Sequence, residues 1–219
     1  EEACKKLGQQ GKQVWMTEFL INWNENTGTT RNFDYSKDVF NFFRSINTCM
    51  LNDFNAWIHY AAKRYYGMIG DGQCGTDNGE MTKRGYVMAH FAKYITGMTR
   101  IDAQWNDNAA QPLEGSAYLS QTGDTVVAVL INPSDNERIV TFDLPFYTQR
   151  GRMQTTTPSK NLSPKDLRQK TETCRPQVAI AAQSVATLIF ARSRDRQPSQ
   201  MTGSINRFDR IDDMTCTNS

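Results

Sequence analysis

The chain has 219 residues, 38% of them hydrophobic, enough apolar side chain to bury a core in one large domain or two ordinary ones. Its 25 Lys and Arg against 23 Asp and Glu leave a net charge of +2. These charges are interspersed rather than blocked, which excludes the electrostatic footprint of a nucleic-acid or anionic-membrane binder, and no apolar run approaches the roughly 18 residues of a membrane-spanning helix.

The first residues, EEACKKLGQQGK, have neither the basic start nor the apolar middle of a signal peptide. They read as an amphipathic helix stopped by Gly11, and a chain that opens inside a helix leads us to expect an upstream part that is absent, removed or carried by another chain. QVWMT follows as a short strand and NWNENTGTTRNFD as a polar loop. YSKDVFNFFRSINTCML then sets Val39, Phe42, Phe43 and Ile46 at helical spacing, with Ser36 as the N-cap. FNAWIHY is a second apolar strand, GMIGDGQCGTDNGEMTKRG a long loop crowded with turn residues, and YVMAHFAKYI a second helix. Strand, long loop and helix, twice over, predicts a parallel sheet with helical crossovers.

Beyond Thr99 the pattern changes. TRIDAQW, SAYLSQ, TVVAVLIN, RIVTFDLP and SVATLIFAR are short β-rich runs separated by turn signals, which predicts an antiparallel sandwich. PSKNLSPKDLRQKTETCRPQ reads as a polar loop, and the residues after 193 as a polar tail. The expected domains are 1–98, 99–192 and a tail at 193–219. Five cysteines form no C-x-x-C pair, and with only His59 and His90 there is no metal constellation, so neither metal nor cofactor is expected. The cysteine spacing fits buried thiols or a few long-range disulfides in a secreted protein, and we take the secreted reading.

Ligands of parallel α/β sheets sit at the carboxyl ends of the strands, where loops converge on rigid scaffolding. Glu18 lies at such an end. The second strand finishes with Trp57, His59 and Tyr60, and its loop adds Arg64, Tyr65 and Tyr66. Aromatic rings stack on sugar C–H faces, while Arg and Tyr offer hydrogen bonds to hydroxyl or carboxylate groups, so this set suits a polysaccharide. The plainer readings stand beside it: Glu18 as a solvated loop residue, Trp57 and Tyr60 as core, Arg64 paired with an acid at a helix start, and His59 as a hydrogen-bonded structural residue.

VWMTEF, then FNAWIHYAAKRYYGMI, then MTKRGYVMAHFAKYITGMTRIDA closely resemble, in order and spacing, the C-terminal part of glycoside hydrolase family 30, and most of all its bacterial xylanase and glucuronoxylanase branch. The resemblance covers roughly residues 12 to 192. It implies a fold that is α/β plus all-β: the C-terminal part of a (β/α)8 TIM barrel, with VWMT as strand 7 and FNAWIH as strand 8, followed by a side β-sandwich. It further implies that Glu18 is the nucleophile of a retaining endo-β-1,4-xylanase, that Tyr60 belongs to the aromatic binding surface, and that Arg64 and Tyr66 contact a glucuronic acid branch; Trp57 is expected on that surface from its place at the strand end. Tyr60 stands where the family pattern has Trp. Leu20 and Trp23 stand where its glucuronoxylanases carry Tyr and a hydroxyl residue, and Trp23 is a candidate stacking wall. The family's acid/base Glu sits in an Asn-Glu-Pro setting that this chain lacks, so it is expected from the upstream part of the same enzyme or a companion chain. The implied partner is xylan or glucuronoxylan. The alternatives are a non-catalytic carbohydrate-binding fragment, or a family member acting on another β-glycan such as β-1,6-glucan.

Overall fold

A computed structural model describes residues 2–20, 35–106 and 109–193. The chain divides into two compact units, Glu1–Ala92 and Lys93–Ser219. The tail expected at 193–219 falls, apart from its first residue, outside the described residues.

In the first unit, α1 (Glu2–Gln9) ends in a Schellman turn. Gly11 takes the left-handed conformation at φ 69°, its N–H donates to the Gly8 carbonyl at 2.9 Å, and the Lys12 N–H donates to the Leu7 carbonyl at 3.0 Å. Strand β1 (Trp15–Phe19) pairs in parallel with β2 (Ala56–His59). Between them runs α2 (Tyr35–Leu51), whose 3.6-residue periodicity buries Val39, Phe42, Phe43, Ile46 and Cys49, with Phe40 beside them. Each of these large side chains contributes about 1.5–3 kcal/mol on leaving water. Ser36 falls inside the first turn of α2 rather than at its cap, because the helix already begins at Tyr35.

Helix α3 (Lys83–Ala92) starts three residues before the expected YVMAHFAKYI and stops short of its end. Thr82 explains the early start: its hydroxyl accepts from the Gly85 N–H at 3.3 Å and its carbonyl takes the first helical bond, from Tyr86 at 3.1 Å. Phe91 of α3 packs on Phe43 of α2, with ring centroids 5.2 Å apart.

The second unit is antiparallel throughout its described strands. Strands β3 (Thr99–Ile101), β4 (Glu114–Leu119), β5 (Thr125–Asn132), β6 (Arg138–Thr141), β7 (Thr148–Thr156), β8 (Ser163–Thr173), β9 (Gln177–Ile180) and β10 (Ser184–Ala191) form a six-stranded sheet, ordered β3-β4-β5-β10-β7-β8, and a two-stranded sheet, β6-β9. The core gathers Leu130 of β5, Leu188 and Phe190 of β10, Met153 of β7, and Val178 and Ile180 of β9. The segment read as a polar loop contains β8, and this corrects the sequence reading. Strand β8 lies at the sheet edge and buries little besides Leu167, so its polar and charged residues face water and hide its alternation. Its neighbour β7 is masked similarly by Arg150, Gly151 and Arg152. Gly151 is required there, since a Cβ would lie 2.7 Å from the Ile189 carbonyl oxygen.

Candidate active site

The parallel pairing of β1 and β2 is irregular at the carboxyl end. Trp15 is opposite Ala56 and Met16 opposite Trp57, but the next partnership is Phe19 with His59. Three steps along β1 thus match two along β2, which is a β-bulge. Trp57 and His59 both meet the ring of Phe42 on α2, at 5.2 and 5.0 Å, and so mark the helix-facing side of the sheet. Phe19 joins that side, 5.5 Å from Trp57. Strict alternation from Met16 would have set Glu18 among these aromatics. The extra residue gives that place to Phe19 and leaves the Glu18 carboxylate exposed at the strand end.

Strand β2 leads into a tight loop through a cis Tyr60–Ala61 peptide bond. The Arg64 N–H donates to the Ile69 carbonyl at 3.0 Å, the Ile69 N–H to Ala62 at 2.9 Å, and the Gly67 N–H to Arg64 at 2.8 Å. Gly67 is fixed by space rather than by φ, because a Cβ there would come within 2.5 Å of the Ala61 carbonyl oxygen. The loop is also held from below: the Thr82 hydroxyl donates to the Gly67 carbonyl at 2.6 Å, and the Thr82 N–H to Met68 at 2.9 Å. On this frame Tyr60, 49% exposed, stacks with Tyr66 at 6.4 Å and 23°, and Tyr65 meets Tyr66 edge-on at 4.8 Å. Arg64 is exposed on the same turn.

Two buried basic side chains, Arg84 and His59, support this surface. Arg84, at the start of α3, donates through Nη1 to the Tyr66 carbonyl at 2.5 Å and through Nη2 to Asp38 Oδ1, in the first turn of α2, at 3.2 Å. Burial pulls the Arg84 pKa down and Asp38 opposes it; a guanidinium nevertheless remains protonated in a protein. His59 sits between two carbonyls, with Nδ1 2.9 Å from the Phe19 oxygen and Nε2 3.0 Å from the Tyr66 oxygen. Burial holds its pKa below the ordinary histidine value and the Arg84 charge adds to that, while the two carbonyl acceptors pull the other way.

The structure therefore brings Tyr60, Arg64 and Tyr66 onto one loop and exposes Glu18 on the neighbouring strand. Trp57 does not join them, which corrects the sequence reading. It is only 9% exposed, wedged between Phe19, Phe42 and His59, and its indole N–H has no hydrogen-bond partner. That is a core position, with no ring face free to stack on a sugar. Trp23 lies outside the described residues. The Arg that pairs with an acid at a helix start is Arg84, which the sequence reading did not single out; its position two residues after Thr82, a capping type, was the available signal. Cys4, Cys49, Cys74 and Cys174 are free thiols.

No protein-family model matches the chain. It is 35% identical over 128 residues to the glucuronoxylanase XynC of Bacillus subtilis strain 168, a match covering 57% of this chain and 27% of that protein. A second Bacillus subtilis glucuronoxylanase XynC is 33% identical over 129 residues, with the same coverage. The chain thus spans 27% of the length of these curated relatives. Among solved structures, it superposes on a GH30 endoxylanase from Clostridium papyrosolvens C71 with a TM-score of 0.67 and 22% identity, covering 85% of this chain and 44% of that one. The subfamily 8 xylanase Xyn30A of Clostridium acetobutylicum gives 0.66 and 23%, covering 84% and 44%. Over the matched part, the chain is similar to glucuronoxylanase XynC in sequence and to glycoside hydrolase family 30 xylanases in fold. Its fold is that of these structures, a partial (β/α)8 barrel followed in the chain by a β-sandwich, with β1 and β2 as barrel strands. Trp57 and His59 are covered by α2 on one side of these strands, and Glu18 is exposed.

Proposed function

We propose that this chain contributes the nucleophile side of a secreted, retaining endo-β-1,4-xylanase acting on glucuronoxylan. The observation that carries the reading is the bulge between Met16 and Phe19, which exposes Glu18 at the carboxyl end of a barrel strand, beside the loop bearing Tyr60, Arg64 and Tyr66. The names of the relatives supply the substrate class, and a structural neighbour from Bacteroides fragilis is described as an exported protein (TM-score 0.60, 22% identity).

In the proposed first step a Glu18 carboxylate oxygen bonds to the anomeric carbon as the glycosidic C–O bond breaks, and the leaving oxygen takes a proton from a second carboxylic acid. In the second step that group, now a carboxylate, removes a proton from water. The water oxygen displaces Glu18 from the anomeric carbon, and the configuration is retained. The second carboxyl must stand about 5–5.5 Å from the first. We assign it to barrel strands upstream of β1, in the same enzyme or on a companion chain. An unfinished surface supports this assignment: on the sheet face turned away from α2, Trp15 is 53% and Ile58 45% exposed, apolar area that further barrel strands would bury. Tyr60 and Tyr66 then offer sugar-stacking area, and the Arg64 guanidinium is the partner for a glucuronate carboxylate.

The test is Glu18→Gln in the whole enzyme, assayed for reducing ends released from glucuronoxylan. A loss of about a thousandfold or more in kcat is expected, as for removal of a covalent nucleophile. Undiminished hydrolysis would refute the assignment, and xylan binding without product by the unaltered whole protein would favour a carbohydrate-binding role instead.

A further inference from the structure

The strand end bearing Glu18 and the loop bearing Tyr60, Arg64 and Tyr66 meet in one buried side chain. The ring nitrogens of His59 lie against the carbonyl of Phe19, the residue after Glu18, and the carbonyl of Tyr66, on the far side of the loop turn. Each carbonyl also has a donor of its own. The Tyr60 N–H reaches Phe19 at 3.0 Å, and Arg84 Nη1 reaches Tyr66 at 2.5 Å. The ring has little freedom to turn, since Trp57 lies parallel to it at 5.9 Å and 5° and Phe42 meets it edge-on at 5.0 Å and 86°.

A rigid ring with polar atoms on two edges fixes the separation of two backbone segments in a way that a flexible amide does not. We infer that His59 is a positioning residue that sets the Glu18 strand end against the loop carrying Arg64 and Tyr66, so that a substrate held by its side branch is registered on the nucleophile. The inference rests on the function proposed above. Its basis is a ring held by an aromatic clamp between two backbone carbonyls, to one of which a neutral imidazole donates. A histidine present only to fill the core would need neither contact, because Phe fills the same space.

Loss of the ring nitrogens should therefore harm substrates that use both sites more than those that use only the nucleophile. The experiment uses the whole enzyme with His59→Phe, which keeps the ring packing, and His59→Gln, which keeps one donor. Each is assayed on glucuronate-branched xylan and on an unbranched xylo-oligosaccharide, with melting temperatures checked. For His59→Phe, KM on the branched substrate should rise about tenfold or more, while kcat and KM on the unbranched one stay within about threefold; His59→Gln should fall between wild type and His59→Phe. Equal loss on both substrates, or no change on either, would overturn the inference, and if His59→Phe does not fold the Gln variant is read by the same criterion. Arg64→Ala separates the two levels of the argument. If it shows the same branched-specific rise in KM while His59 variants do not, only the positioning role fails. If Arg64→Ala has no branched-specific effect in an active enzyme, the loop's proposed role fails and the inference falls with it.

Discussion

The two units solve the burial problem differently. In the sandwich, β5 and β10 are paired over eight consecutive positions and flanked by further strands, and every residue of β5 after Thr125 is buried. In the barrel unit, β1 has β2 as its one partner among the described strands, one face is covered by α2, and the other leaves Trp15 and Ile58 in water. The proposed chemistry lies in the unit with the unfinished surface. A nucleophile has to remain reachable, so it belongs on a strand whose second face is completed by other parts of a barrel and by substrate, not by its own local packing.

The contrast can be broken most severely at the sandwich core. Leu188→Ala removes a side chain with no exposed surface between β5 and β7 and should cost about 2–5 kcal/mol, read from urea unfolding. A loss under about 1 kcal/mol would mean that this core is less closed than it looks. Asp38→Asn is the counterpart in the barrel unit. It replaces the carboxylate that faces the buried Arg84 guanidinium by a neutral acceptor and should cost about 1.5–3 kcal/mol.

Acid should find the barrel unit next. His90 is fully buried on α3, and burial lowers its pKa from 6.5 to about 3; His59 is shifted in the same direction. The unfolded chain therefore binds more protons than the folded one in this range. For His90 this stability is fully present above about pH 6.5 and is lost as pH falls toward 3, with a slope of up to about 1.4 kcal/mol per pH unit, and His59 acts in the same direction. Unfolding measured from pH 7 to 4 checks this, and His90→Phe should flatten part of the slope.

The smallest expected effect is Trp57→Phe, which deletes an indole N–H that has no hydrogen-bond partner while keeping a ring against Phe42. Stability should change by less than about 1.5 kcal/mol and KM for xylan hardly at all, whereas Tyr60→Ala should raise KM several-fold. A large KM effect from Trp57→Phe would return Trp57 to the binding surface.

Much of this architecture could be read from residue pattern. The α2 stripe of Val39, Phe42, Phe43 and Ile46 announced a helix over a sheet, and the apolar runs of β5 and β10 announced buried strands. Edge strands were harder, since β8 buries so little that its alternation disappears among Lys165, Asp166, Arg168 and Lys170. At the site, pattern located the strand end and the aromatic loop but not the register slip. A bulge is a property of pairing between strands, and it decides which of two adjacent residues, Glu18 or Phe19, meets the helix. Periodicity also could not distinguish Trp57 as core from Trp57 as platform, because both uses suit an aromatic in a strand. The contact of Arg84 with the Tyr66 carbonyl, eighteen positions away along the chain, has no local signature at all.

The central claim is that the Glu18 carboxylate forms a covalent bond to sugar. Incubating the whole enzyme with a 2-deoxy-2-fluoroxylosyl donor, which slows release of the glycosyl intermediate, and mapping the labelled peptide tests that bond directly. The account expects the label on Glu18 of WMTEF; a label on a different carboxylate, with the enzyme active, would contradict it.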